Sequence, residues 1–233
     1  MKTADFYERL HHNAGEVLAL SVKARPLHHA HTLAGDLAAW ADLLGPRLEA
    51  PLISAASRDI QHSTLCALTG LYRSAFGSLR LALERVLGTI FLSMNELNLR
   101  LRIRGQRDQS WSAIVAADTG LFSTDVATAF FPGLATTLSE HRDIATSVYR
   151  LCSELVHGNP IAEKDLPSPL VFDAPTLDKW IGLVSSSRTV FSYALSLRYL
   201  RDLDNQATET IADHLDSVCH IPAIRAKTKA SNE

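Results

Sequence analysis

From Ser54 to Leu97 apolar residues recur at helical spacing without one proline: Ile60, Leu65, Leu68, Leu71, Phe76, Leu79, Leu83, Val86, Leu87 and Ile90. No other feature limits the fold as much. A run that long can bury its stripe only by helix-on-helix packing, which points away from sandwiches and barrels. Gly70 offers a place for a break or kink, and Gly70, Gly77 and Gly88 allow close helix approach.

The same period fills most of the chain. Asp5 to about Lys23 reads as a first helix, stopped by Pro26, and His31 to Leu44 as a second, closed by Gly45-Pro46. Ser110 can cap a short helix to Ala117, and another fits Thr124 to Phe131 before Pro132. A helix is expected from about Leu134 to His157, followed by a connection with Pro160, Pro167, Pro169 and Pro175. Thr176 can cap a long helix to about Leu203, and Thr208 to Val218 reads as the last. One stretch departs: Leu97-Asn98-Leu99-Arg100-Leu101-Arg102-Ile103-Arg104-Gly105 alternates strictly, which predicts a strand. The expected fold class is all-α, a bundle of four to five long helices with short accessory segments. Residues 1–50 are assigned to N-terminal helices packed on it, 51–220 to the bundle itself, and 221–233 to a disordered tail.

A net charge of −2 over 233 residues gives no global attraction to nucleic acid, so any such surface must be local. The three cysteines, Cys66, Cys152 and Cys219, lack metal-type spacing and sit in apolar helical patterns, as buried thiols in a reducing cytosol would. Asp5, Glu8 and Arg9 interrupt any secretory start. The longest apolar stretches carry too many polar residues for a membrane span.

Chemistry concentrates in Tyr149-Arg150-Leu151-Cys152-Ser153-Glu154-Leu155-Val156-His157-Gly158-Asn159-Pro160. Arg150 and His157 stand seven residues apart, so they return to one helix face two turns along, with Glu154 between them and Ser153 at the edge. Leu151, Leu155 and Val156 point elsewhere and can reach a core. A guanidinium for phosphate and an imidazole that moves a proton near neutral pH are the minimum needed to cleave RNA. A companion stripe holds Arg73, Gly77, Arg80 and Glu84. If buried, Arg80 and Glu84 need partners on another helix, and Arg150 and Glu154 are candidates. The basic cluster Arg100, Arg102, Arg104 and Arg107, with Trp111 near it for stacking, could contact RNA or a protein partner. A charged strand edge facing water is the plainer reading of that cluster.

The order Tyr72-Arg73-Ser74-Ala75-Phe76, Leu79-Arg80-Leu81-Ala82-Leu83-Glu84, then Tyr149-Arg150 and Leu155-Val156-His157-Gly158 resembles bacterial helical proteins of the HEPN superfamily. The resemblance spans roughly Ile60 to Pro160. Active members are metal-independent RNases of toxin–antitoxin and antiphage systems, whose signature is Arg, four to six residues, then His; here the gap is six. It implies Arg150 and His157 as catalytic residues, with Arg80, Glu84, Ser153, Glu154 and Asn159 supporting. His157 would take the proton from a ribose 2′-hydroxyl or protonate the leaving 5′-oxygen, while Arg150 holds the phosphate. It also implies a homodimer that brings two motifs into one cleft, a cognate antitoxin or defence-system partner, and no cofactor. Active members usually carry a polar residue after the arginine, where this chain has Leu151, which leaves a non-catalytic adaptor, sensor or antidote as an alternative. A di-metal carboxylate bundle is the third reading: Glu154-x-x-His157 and Glu8-x-x-His11 match its Glu-x-x-His pattern, but Glu84 is the only further obvious interior glutamate.

Overall fold

The computed structural model describes residues 3–156 and 166–229, and it is all-α, with no strand among those residues. The long elements are α1 (Thr3–Ala24), α2 (His28–Leu44), α3 (Ala50–Leu68), α4 (Tyr72–Ser93), α8 (Leu138–Val156) and α9 (Ala174–Tyr199). Shorter ones are α5 (Glu96–Ile103), α6 (Trp111–Ile114), α7 (Thr124–Phe130), α10 (Asn205–Ala212) and α11 (Pro222–Lys229). Tight 3-10 turns cover Pro132–Thr137, Leu200–Asp202 and Asp213–Leu215.

The long run from Ser54 is two helices, not one. It breaks at Gly70, whose φ of +74° suits a residue without a Cβ. A Cβ there would lie 2.8 Å from the Val171 carbonyl oxygen, and Leu170 N–H donates to the Gly70 carbonyl at 3.2 Å. The chain entering α9 therefore passes directly over the α3–α4 turn. α9 packs against α2, α4 and α8, and its residues from Val190 to Leu197 are buried all round. Trp40, Phe76, Trp180 and Tyr193 fill the middle. Ser63 ties three helices together, accepting from Trp180 Nε1 at 2.9 Å and donating to the Ala75 carbonyl at 2.7 Å.

Three sequence expectations need correction. The alternating stretch at 97–105 is helical: Asn95 caps it by accepting from Asn98 N–H, Glu96 pairs with Arg100 one turn on, and no strand stands beside it among the described residues. Its apolar residues do not form a buried face, since Leu99 is buried while Leu97 and Ile103 are exposed. Asp173, rather than Thr176, caps the last long helix, and the helix expected at Thr208 to Val218 runs from Asn205 to Ala212 behind an Asp204 cap. The segment expected as a disordered tail holds α11, anchored by buried Ile224 and by Lys227 Nζ donating to the Leu203 carbonyl at 2.8 Å. Only Val17 and Ser21 of α1 are buried, and Phe6 and Tyr7 stand exposed on its outer half.

Candidate functional site

Helix α8 presents two opposite sides. Its inward residues Ala145, Val148, Cys152 and Leu155 follow each other at helical spacing and are buried. Leu151 and Val156 are partly buried against the same core, as their positions in the sequence suggested. The opposite side carries Arg150 and Glu154, both exposed. Arg150 makes no hydrogen bond or ion pair among the described residues. His157 and Asn159 lie outside the described residues. Ser153 does not reach toward either, because its hydroxyl donates to the Tyr149 carbonyl of its own helix at 2.7 Å.

The companion stripe on α4 meets α8 through a different residue from those expected. Arg80 Nη2 donates to Tyr149 OH at 2.9 Å, and the guanidinium carbon lies 4.8 Å from the centre of that ring. Arg80 also donates to Glu84 Oε1 at 3.2 Å. On the far side of Tyr149, Trp111 stacks at 4.1 Å with the planes 4° apart. A ladder Glu84–Arg80–Tyr149–Trp111 thus joins α4, α8 and α6. Arg150 and Glu154 are turned away from it, so they are not the partners of Arg80 and Glu84. The Arg80 side chain is 20% exposed and that of Glu84 is 37% exposed, half-wet rather than interior. Gly77 marks the approach of the last turn of α8, where a Cβ would sit 3.7 Å from Val156 Cγ2.

The basic cluster is also rearranged. In a helix Arg100 and Arg104 share a side and Arg102 does not. Arg100 is paired with Glu96 at 2.7 Å, and Arg102 with Asp108 at 2.6 Å. Arg104 and Arg107 are exposed. Trp111 has one ring face already covered by Tyr149, so it offers at most the other face and its edges.

Burial pushes the Cys152 thiol up to about 12, which keeps it protonated and unreactive near neutral pH. Cys66 is buried too, but Cys219 is exposed, against the expectation for it. Among the described residues no three His, Cys, Asp or Glu side chains gather as metal ligands. Glu8, His11 and Glu154 are all exposed.

Sequence reasoning missed two interior polar groups. Asp36 accepts from Arg188 Nε at 2.6 Å on one carboxylate oxygen and contacts His214 Nδ1 at 2.8 Å on the other. Arg188 also pairs with Asp216. Separately, His141 lies 3.6 Å from the Tyr193 ring in a parallel stack, with Nδ1 at 2.8 Å from the Thr137 carbonyl. Burial holds its pKa below the usual histidine range, so Nδ1–H is the donor and the ring is neutral. Tyr193 donates to the Leu134 carbonyl at 2.9 Å, and burial pushes its hydroxyl up to about 12. Asp36 had a readable signal: it stands three residues after Leu33 and four before Trp40, on the apolar face of α2.

What the fold and site define so far is an all-α bundle with an arginine-bearing outer helix face and a polar ladder at its flank. No family model, no curated protein and no solved structure matches this chain. Among the described residues no helix is long and apolar enough to cross a membrane.

Proposed function

We propose that this chain is a HEPN-like, metal-independent endoribonuclease, acting in the cytosol as a toxin or antiphage effector. The observation that carries the reading is Arg150: exposed, with no partner among the described residues, and seven positions before His157 in the chain. An arginine whose donors are all unspent is ready to take a phosphate. Arg104, Arg107 and Arg201 are exposed with unspent side chains too, so what singles out Arg150 is its place in the chain relative to His157. The ladder behind α8 supports the reading because it locks the helix that carries Arg150 without consuming Arg150 itself.

In this mechanism Arg150 stabilises the charge that builds on the phosphate, and His157 moves the proton of the ribose 2′-hydroxyl or of the leaving oxygen. One exposed helix face does not enclose a substrate, so a cleft needs a second copy, which a two-fold homodimer supplies. The test is cleavage of RNA by the purified protein in EDTA. Cleavage is expected to persist, to leave a 2′,3′-cyclic phosphate, and to vanish in both Arg150→Ala and His157→Ala. Folded variants that still cut would end the proposal.

A non-catalytic adaptor, sensor or antidote is the second reading. One observation favours it: Leu151, beside Arg150, is packed against the core rather than offered to a substrate. A folded protein inactive on every RNA tested, with or without partner proteins, would select it.

A further inference from the structure

His62 stands exposed on α3, and Cys66 follows it one turn later on the same face. The imidazole Nε2 lies 3.7 Å from the Cys66 sulfur. The other ring nitrogen, Nδ1, is 2.8 Å from the Ser78 hydroxyl on α4. The ring is therefore held at both ends, by a hydroxyl on the neighbouring helix and by a thiol on its own.

That spacing has a meaning in coordination chemistry. Zinc binds imidazole nitrogen at about 2.0–2.1 Å and thiolate sulfur at about 2.3 Å, so a tetrahedral angle sets the two donors about 3.6 Å apart. The pair already stands close to that separation. An Nδ1–H that donates to Ser78 Oγ is the tautomer that leaves the Nε2 lone pair free. An outer hydrogen bond of this kind is how proteins orient a ligating histidine. Because His62 is exposed, a cation reaches the sulfur from the imidazole side. Burial raises the pKa of the Cys66 thiol, so it holds its proton near neutral pH and releases it to solvent as the metal–sulfur bond forms. Asp59, three residues before His62, is spent on Arg85 at 2.7 Å. Two positions of the tetrahedron are left to water. A thiolate beside an imidazole suits borderline-soft cations and not Mg²⁺ or Ca²⁺.

We propose that His62 and Cys66 form a binding site for a thiophilic divalent cation of the zinc type, with Ser78 as its orienting partner. Ser78 and Arg80 lie about 200° apart around α4, so the site is across that helix from the Arg80–Tyr149 ladder. It is independent of the nuclease reading, whose cleavage is tested in EDTA.

The test is titration of the full chain with Co²⁺, a spectroscopic stand-in for zinc, followed by calorimetry with Zn²⁺. It is run on Cys219→Ser, so that the exposed thiol contributes nothing. One cation per chain is expected, with a thiolate-to-cobalt charge-transfer band. His62→Ala and Cys66→Ser should each weaken Zn²⁺ by about tenfold or more and remove the band, with folding checked by circular dichroism. Ser78→Ala, which deletes only the outer hydrogen bond, should weaken Zn²⁺ by about tenfold. If Cys66→Ser fails to fold, His62→Ala, at an exposed position, carries the test. A plain thiol–imidazole hydrogen bond has the same spacing, and it predicts no band. Absence of the band, Zn²⁺ affinity unchanged in His62→Ala, or Mg²⁺ bound as tightly as Zn²⁺ overturns the proposal. Arg150→Ala should bind Zn²⁺ as the parent does, so failure of this site and failure of the nuclease reading are separable.

Discussion

The Asp36–Arg188 pair joins two long helices, α2 and α9, whereas Arg80 and Glu84 pair within one, α4, and the two groups are built to opposite ends. Asp36 and Arg188 are buried, and each carboxylate oxygen of Asp36 has its own donor. Arg80 and Glu84 are half-wet, on the flank of the bundle, and Arg150, on the outer side of α8, has no partner among the described residues. A buried charge must be fully paired because leaving it alone costs several kcal/mol. A flank group can keep open valences because water fills them until something else does. Burial marks the first region as structural, and exposure leaves the second in reach of water.

The sharpest way to break this contrast is Asp36→Ala. It leaves the buried Arg188 with Asp216 as its one remaining carboxylate, and the expected loss is about 3 kcal/mol, read by urea unfolding. A loss below about 1 kcal/mol would mean the interior group is no more closed than the flank.

Acid should strain the interior next. His141 has a folded pKa below the ordinary histidine value of 6.5, so as pH falls the unfolded chain takes the proton first. Stability is then full above about pH 6.5 and declines below it, with a limiting slope of about 1.4 kcal/mol per pH unit for one proton. His29 is lowered as well, chiefly by burial and then by His28 and Arg188, and adds in the same direction. His141→Asn keeps a donor for the Thr137 carbonyl and cannot titrate; thermal melts between about pH 7 and 5 should show a shallower decline. An unchanged slope would remove His141 as a cause.

On the flank, Glu84→Gln should cost only about 0.2–1 kcal/mol, because its carboxylate is 37% exposed and its pair with Arg80 is screened. Smallest of all, Arg150→Ala should leave stability within about ±0.5 kcal/mol while removing RNA cleavage. A large stability loss from Arg150→Ala would show that it is tied into the fold after all.

The all-α class was legible because a 3.6 period without proline admits few arrangements. The start at Trp111 was legible from its Ser110 cap, and the start at Thr124 was placed without noticing that Ser123 caps it. The stretch at 97–105 misled because alternation was read without asking for a partner strand, while the Asn95 cap and the Glu96–Arg100 pair were already in the sequence. The outward direction of Arg150 followed from helix geometry once Leu151, Leu155 and Val156 were assigned inward. The choice of Tyr149 as the partner of Arg80 did not follow, since it depends on how α4 and α8 are rotated against each other.

The contact between His214 and Asp36 spans 178 positions of the chain. Closing so long a loop carries a large entropic cost, and contacts of that separation come late in folding. Until the turn at Asp213–Leu215 docks, one oxygen of Asp36 must be served by water, and the bundle holds a wet seam between α2 and α9. That turn is what dries the interior, and native-state hydrogen exchange should find α10 and its following turn opening before the helices they seal.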